Sequence, residues 1–224
     1  RDKASNATIR RDLTAVSRVL ASTVAWGWRE DNPAKTWDRE VIPERREPIA
    51  RVSDDDVAAF LAKCPAGFGR VVQFLFQTGM RQQEAVTLRR SQLRPAVREV
   101  HLAKTKSRPR VVTISGTAWT VINEAPLNLA HDYVFTSENG GPFANFASRF
   151  VQIRTRAGTK FRCHDLRHEF AIRWLERGGD IYDLSRHLGH SSVKVTEMYL
   201  DYVGQSGARE RAQRKRSGGK GRVG

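Results

Sequence analysis

Cysteine is scarce in this chain of 224 residues. There are two, Cys64 and Cys163, and neither stands in a metal-binding or disulfide-framework spacing. A disulfide-stapled scaffold and a cysteine-built zinc module are both excluded, and a reducing, cytoplasmic compartment is the expectation. Long apolar runs are missing as well. No stretch approaches the roughly 18 consecutive apolar residues of a membrane span, and no signal-peptide core is visible, so no membrane partner is expected. Acid is in deficit: 24 Asp and Glu face 39 Lys and Arg, for a net charge of +15. Residues 204–224 hold seven Lys/Arg against one acid, Glu210, which places +6 in the tail and +9 on the body. A body of that sign and size favours a polyanionic partner, and nucleic acid first. Arginine outnumbers lysine 30 to 9, which suits bidentate contact with phosphate.

What is present organises into helices around a few strands. Ile9, Leu13, Val16, Leu20 and Val24 recur at helical spacing, with Asn6 or Thr8 as the expected cap and a stop near Gly27. That apolar stripe has no partner within the sequence. Residues 1–35 therefore read as the end of a helical domain that begins upstream. The charged, proline-containing stretch 36–52 reads as a linker. Ser53 and Asp56 form a capping-box pattern ahead of Val57, Phe60 and Leu61. "FGRVVQFLFQTGM" (68–80) predicts a buried helix ending at Gly79, followed by a second from Arg81 to Arg89. "EVHLAKTKSRPRVVTIS" (99–115) predicts two strands around a basic turn. Further helices are expected over 117–124, 144–157, 165–177, 180–187 and 193–200. The Gly/Ser/Arg/Lys-rich end from Gly204 reads as disordered when alone. The fold class is mainly α with a small antiparallel β-sheet.

Four of the six histidines, His164, His168, His187 and His190, fall between positions 164 and 190. His164 and His168 are four apart and share a helix face, as zinc ligands do. Arg167 lies on nearly the same face, where it would repel a dication, and no acidic third ligand stands at a convincing position; no metal is expected. Taken singly, His168 and His187 read as core histidines with satisfied hydrogen bonds. For His164, Arg167, His190 and Tyr199 as a set, a nucleophile with helpers is the stronger reading. A tyrosine hydroxyl is weak at its free pKa of about 10 and needs a base and charge stabilisation to attack an electrophile. Against a phosphodiester, arginines stabilise the charge on the non-bridging oxygens. On one helix, His190 and Tyr199 would diverge. Gly189 ends the preceding helix, however, and Ser191 or Ser192 can cap a new one, so a bend can return both side chains to one pocket.

These residues resemble the catalytic domain of tyrosine recombinases, the phage-integrase family, from Ser53 to Tyr202. "TGMRQQEAVTLR" (78–89) is similar to the family's first arginine box, which implies Arg81 as the first catalytic arginine and Glu84 as its buttress. "HDLRHEFAIRWLERGGD" is similar to the His-x-x-Arg box, implying His164 and Arg167. "LGHSSVKVTEMY" is similar to the last box, implying His190 and the nucleophile Tyr199. The family carries a lysine in a strand turn; "AKTKSRPRVV" offers Lys104 and Lys106, of which Lys104 is favoured. Glu169 departs from the family's usual small hydroxyl residue, and His187 stands where an apolar residue is commoner. "TIRRDLTAVSRVLASTVAWGWREDNPA" (8–34) resembles the end of the family's core-binding domain. The resemblance implies a site-specific DNA recombinase that cuts and rejoins double-stranded DNA through a 3′-phosphotyrosyl link, for integration or excision of a mobile element. In that scheme Lys104 protonates the leaving oxygen, His164 assists proton transfer or contacts the phosphate, and His190 adds a hydrogen bond. It also implies a homotetramer on paired sites, partners such as a directionality factor or a host DNA-bending protein, nucleoid association when DNA-bound, and no cofactor. A type IB topoisomerase-like strand transferase and an inactive truncated DNA-binding remnant are the alternatives.

Overall fold

A computed structural model of the chain describes residues 4–35, 41–43, 48–103 and 109–203. Lys104, Lys106 and the basic tail lie outside the described residues. The chain divides into two units, Arg1–Pro48 and Ile49–Gly224.

The first unit is built on α1 (Asn6–Ala25). Its cap is Ser5, one residue ahead of the expected Asn6 or Thr8. The Ser5 backbone is extended and its side chain accepts from the Thr8 N–H, which leaves Asn6 as the first helical residue. The Asn6 amide instead donates to the Pro43 carbonyl, and Arg10 Nε donates to that of Ile42 at 2.6 Å. A 3-10 turn at Pro33–Lys35 folds back on α1, held by Asn32 Nδ2 on the Ser17 carbonyl at 2.8 Å. No residue of α1 is fully buried; Ile9, Leu13, Leu20 and Val24 are partly covered and Val16 is exposed.

The second unit starts from a double-sided cap. Ser53 and Asp56 bond each other's backbone at the start of α2 (Asp54–Leu61), as the S-x-x-D pattern predicts. The buried α3 (Ala66–Thr78) follows, then α4 (Gln82–Val86), β1 (Leu93–Arg94), β2 (Glu99–Leu102), β3 (Arg110–Thr113) and α5 (Gly116–Asn123). The remaining helices are α6 (Phe146–Ala157), α7 (Cys163–Glu176), α8 (Ile181–Leu188) and α9 (Lys194–Glu197). The strands form one antiparallel sheet in the order β1-β2-β3, with Val100 opposite Val112. α3 packs against both α5 and α7. A phenylalanine seam fills the space between α2, α3 and α6: Phe68 stacks on Phe146 at 4.2 Å, and Phe60 lies 4.6 Å from Phe150. A second apolar cluster gathers Ala171, Ile172, Leu184, Leu188 and Tyr199.

Three elements differ from expectation, each for a local reason. The helix expected to reach Arg89 ends at Val86, because the chain turns extended at Arg89 and pairs with residues 132–134 through Val134 N–H on the Leu88 carbonyl and Arg90 N–H on that of Asp132. β1 was not anticipated; two residues are too short to show an alternation. The last helix, expected over 193–200, is only α9. Ser192 Oγ takes the Lys194 N–H, Val193 holds the cap position, and Leu200–Tyr202 tightens into a 3-10 turn. Tyr199 therefore sits between two short helical pieces rather than at the end of one long helix.

Gly79 closes α3 in the left-handed region, with φ of 63°, and a Cβ there would run into the Phe170 ring of α7. The left-handed conformation alone costs a non-glycine residue about 1–2 kcal/mol. Gly79→Ala is expected to lower unfolding stability in urea by about 2 kcal/mol or more, the clash adding to the backbone term. An unchanged midpoint would contradict this packing.

Candidate active site

Helices α3 and α8 both end on glycines in the left-handed conformation, Gly79 and Gly189. A helix C-terminus exposes carbonyls that have no partner in the helix and concentrates partial negative charge. Three guanidinium groups use those carbonyls. Arg167, from the middle of α7, donates Nη1 to the Gly79 carbonyl at 2.9 Å and Nη2 to that of Leu188 at 2.7 Å. Arg81, at the cap of α4, donates Nη2 to the Gly189 carbonyl at 2.7 Å. Arg110, opening β3, donates Nε to the His187 carbonyl at 2.9 Å. Glu84 lies between the last two. It accepts from Arg110 at 2.9 and 2.6 Å and from Arg81 Nη1 at 3.1 Å, and it also takes the Arg81 backbone N–H, closing the first turn of α4.

The charges do not cancel. Burial raises the Glu84 carboxyl and its arginine partners lower it further, so it stays below the usual 4.5 and ionised. Arg167 is 3% exposed; burial, and then Arg81, bring its pKa down to about 10, which leaves it protonated at neutral pH. Three cations facing one carboxylate form a pocket poised for an anion.

Tyr199 enters this pocket from the bend after α9 and is 2% exposed. Its ring stacks against that of His190 at 6.4 Å, so the bend expected at Gly189 does bring the two together. Its hydroxyl lies 3.0 Å from His168 Nδ1. Burial holds the phenol above its ordinary pKa of 10, against the opposing pull of Arg167. His190 Nδ1 is 2.8 Å from the hydroxyl of buried Thr196. His164 is exposed at the edge, its ring 4.5 Å from that of His168. Arg81, His164, Arg167, His190 and Tyr199 thus gather in one cluster. The lysine candidates fall outside the described residues. Among the described residues, no three His, Cys, Asp or Glu side chains gather as metal ligands.

Reading the residues alone missed two contributors, Arg110 and His168. Arg110 was legible in principle: it is two residues before buried Val112 on a strand, hence on the inward face, where an arginine is unusual. His168, read as a core histidine, meets the Tyr199 hydroxyl. His187 is the hydrogen-bonded core histidine expected: it donates Nε2–H to the Thr78 carbonyl at 2.7 Å and stacks on Phe170, so it braces the C-terminus of α3. Glu169, the departure from the family pattern, is buried at 1% exposure. It pairs with Arg51 at 2.8 Å and Arg173 at 2.7 Å and accepts the Val52 N–H. Together with the Ile49 N–H on the Tyr202 hydroxyl, this ties residues 49–52 to α7 and to the segment just beyond Tyr199.

Comparison with known proteins places these features in a family. The family model described as the phage integrase family matches residues 53–204. The integrase of Haemophilus phage HP1 is 29% identical over 205 residues, covering 88% of this chain and 56% of that protein. Tyrosine recombinase XerC of Herpetosiphon aurantiacus is 29% identical over 143 residues, covering 58% of this chain and 46% of the relative. The chain thus spans about half the length of these relatives. The Tn1549 transposon integrase, solved in complex with transposon right-end DNA, shares the fold with a TM-score of 0.71 at 18% identity, over 94% of this chain and 80% of that one.

The histidines make the second unit acid-sensitive. His168, His187 and His190 are each pushed down from 6.5 to about 4, chiefly by burial. The unfolded chain takes up these protons near pH 6.5, whereas the folded chain resists until about pH 4. Stability is therefore complete above about pH 6.5 and falls as pH drops towards 4. His187 alone contributes up to about 3 kcal/mol across that window. Below 4.5, protonation of Glu169, whose pKa is held low by Arg51 and Arg173 against the raising effect of burial, adds to the loss. Urea midpoints should fall steadily from pH 7 to pH 4.5, and less steeply in His187→Gln. Midpoints that stay flat or rise would contradict these assignments.

Proposed function

Because the chain belongs to the phage integrase family, we propose that it is a site-specific DNA recombinase whose nucleophile is Tyr199. The observation that carries this reading is the burial of one tyrosine beside Arg167 and His190, with Arg81 held on the adjoining Gly189 carbonyl, in a cluster whose cations outnumber its acids. Tyr199 Oη attacks the scissile phosphate and forms a 3′-phosphotyrosyl bond while the 5′-oxygen leaves. Arg81 and Arg167 hold the non-bridging oxygens, with Glu84 and the carbonyls of helix ends fixing their positions before substrate arrives. His164, exposed at the edge, contacts the incoming phosphate, and His190 adds a hydrogen bond. Lys104 protonates the leaving oxygen; its neighbour Lys106 is the alternative donor. The covalent link stores the energy of the broken bond, so neither a metal nor a nucleotide is needed.

The substrate is double-stranded DNA, gripped through phosphates by the body's +9 charge. Residues 1–35 form the end of a core-binding lobe, residues 53–203 the catalytic domain, and residues 204–224 a basic extension that docks on a neighbouring protomer of a tetramer. A directionality factor or host DNA-bending protein assists the choice of sites. Among the described residues no helix is long and apolar enough to cross a membrane.

Covalent capture tests the nucleophile. Nicked duplexes with a randomised core, incubated with the 224-residue chain, should yield an adduct whose crosslinked peptide contains Tyr199 rather than Tyr182 or Tyr202. Tyr199→Phe should abolish it. An adduct that persists in Tyr199→Phe would remove the assignment.

A further inference from the structure

A phenol that attacks phosphorus must give up a proton, and none of the three arginines can take it. Arg167 remains protonated at neutral pH, and Arg81 and Arg110 are committed to Glu84 and to backbone carbonyls. His190, the histidine nearest Tyr199 in the family box, directs Nδ1 to Thr196. The side chain bonded to the Tyr199 hydroxyl is His168, with Nδ1 at 3.0 Å.

His168 is built to accept. It lies one turn beyond His164 on α7, so the two rings meet edge to face. The charged and titratable groups around it are His164, Asp165 and Arg167 on its own helix, Arg162 at that helix's cap, and Tyr199 opposite. Burial first, and then His164, Arg162 and Arg167, disfavour the imidazolium, while Asp165 favours it. The ring is therefore neutral, with one nitrogen able to accept, and Nδ1 is the nitrogen that faces the phenolic hydroxyl; in the tautomer protonated at Nε2 it receives the phenolic O–H. An arriving phosphodiester brings negative charge into the pocket and favours the imidazolium, so the transfer becomes easier once substrate is bound.

We propose that His168 is a catalytic residue, the general base of cleavage and the general acid of rejoining. As the Tyr199 Oη–P bond forms and the P–O5′ bond breaks, the phenolic proton moves to His168 Nδ1. The departing 5′-oxygen is protonated by a separate acid, an ammonium side chain or water. On rejoining, the 5′-hydroxyl loses its proton to that same group, and His168 returns its own proton to the departing Tyr199 oxygen. The proposal rests on the reading of Tyr199 as the nucleophile, and it places proton transfer on His168 rather than on His164, which the family resemblance suggested.

The test compares wild type with His168→Gln on the same pool of nicked random-core duplexes, then on the sequence the adducts enrich. Glutamine can still accept a hydrogen bond from the phenol but cannot carry its proton. Near pH 7 the variant should form the Tyr199 adduct more slowly by on the order of a hundredfold, with DNA binding unchanged. The gap should shrink by about tenfold per pH unit towards pH 9.5, as the phenol ionises without help. A fluorotyrosine at position 199, with a more acidic phenol, should restore the variant at pH 7. A deficit equal at every pH and untouched by fluorotyrosine would reduce His168 to a packing residue and overturn the proposal. So would a variant that cleaves as fast as wild type, or faster. If wild type forms its adduct on another tyrosine, or none with any member of the pool, the nucleophile reading fails and the proposal falls with it. If His168→Gln does not fold, the wild-type profile decides: a cleavage rate that levels off with rising pH below 7 supports a base titrating in the acid range, and a rate that rises about tenfold per pH unit throughout, as unassisted ionisation of the phenol requires, contradicts it.

Discussion

Holding three guanidinium groups beside one another, those of Arg110 and Arg167 almost wholly away from water and that of Arg81 partly so, is the constraint on which the second unit is built. Like charges at such distances repel by several kcal/mol unless they are compensated, and a single carboxylate, Glu84, serves two of the three. The remaining compensation is backbone. The carbonyls of Gly79, His187, Leu188 and Gly189 all lie at the ends of α3 and α8, where helix geometry leaves them without partners and the helix dipole makes them negative. The arginines satisfy the helix ends, and the helix ends hold the arginines. Neither arrangement can relax without disturbing the other, so the cations stand in place before any phosphate arrives.

The same logic explains the glycines and the brace behind them. Gly79 and Gly189 turn the chain in the left-handed region, and both lie in close contact: a Cβ on Gly79 would meet Phe170, and one on Gly189 would meet the Arg110 guanidinium. His187 fastens the end of α3 to the end of α8 through the Thr78 carbonyl. Glu169 extends the scheme outwards. With Arg51, Arg173 and the Val52 N–H it fixes the entry of the chain to α7, while Tyr202 fixes Ile49 to the segment that carries Tyr199. The segment leading into the unit and the nucleophile's own segment are thus fastened to one scaffold.

Much of this was legible in the sequence because it depends on local signals. The Ser53–Asp56 cap, the end of α3 at Gly79 and the break at Gly189 each follow from residues within one turn. Arg81, His164, Arg167, His190 and Tyr199 could be picked out because their motifs are short and ordered. What the sequence hid depends on partners far along the chain. Arg110 acquires its meaning from Glu84 and His187, His168 from Tyr199, and Glu169 from Arg51. α4 stops early because residues 132–134 compete for Leu88 and Arg90. The shortness of α9 follows the burial of Thr196, whose side chain meets His190 rather than solvent. No periodicity records such pairings.

The central claim is that backbone-anchored arginines stabilise negative charge on the scissile phosphate. The most direct measurement is cleavage by wild type, Arg81→Ala and Arg167→Ala of one core duplex carrying either an ordinary phosphodiester or an uncharged methylphosphonate at the scissile position. Each variant should lose on the order of a hundredfold or more on the charged substrate and recover most of that loss on the neutral one, where little negative charge remains to be held. Deficits of the same size on both substrates, or near wild-type cleavage of the phosphodiester, would contradict the account.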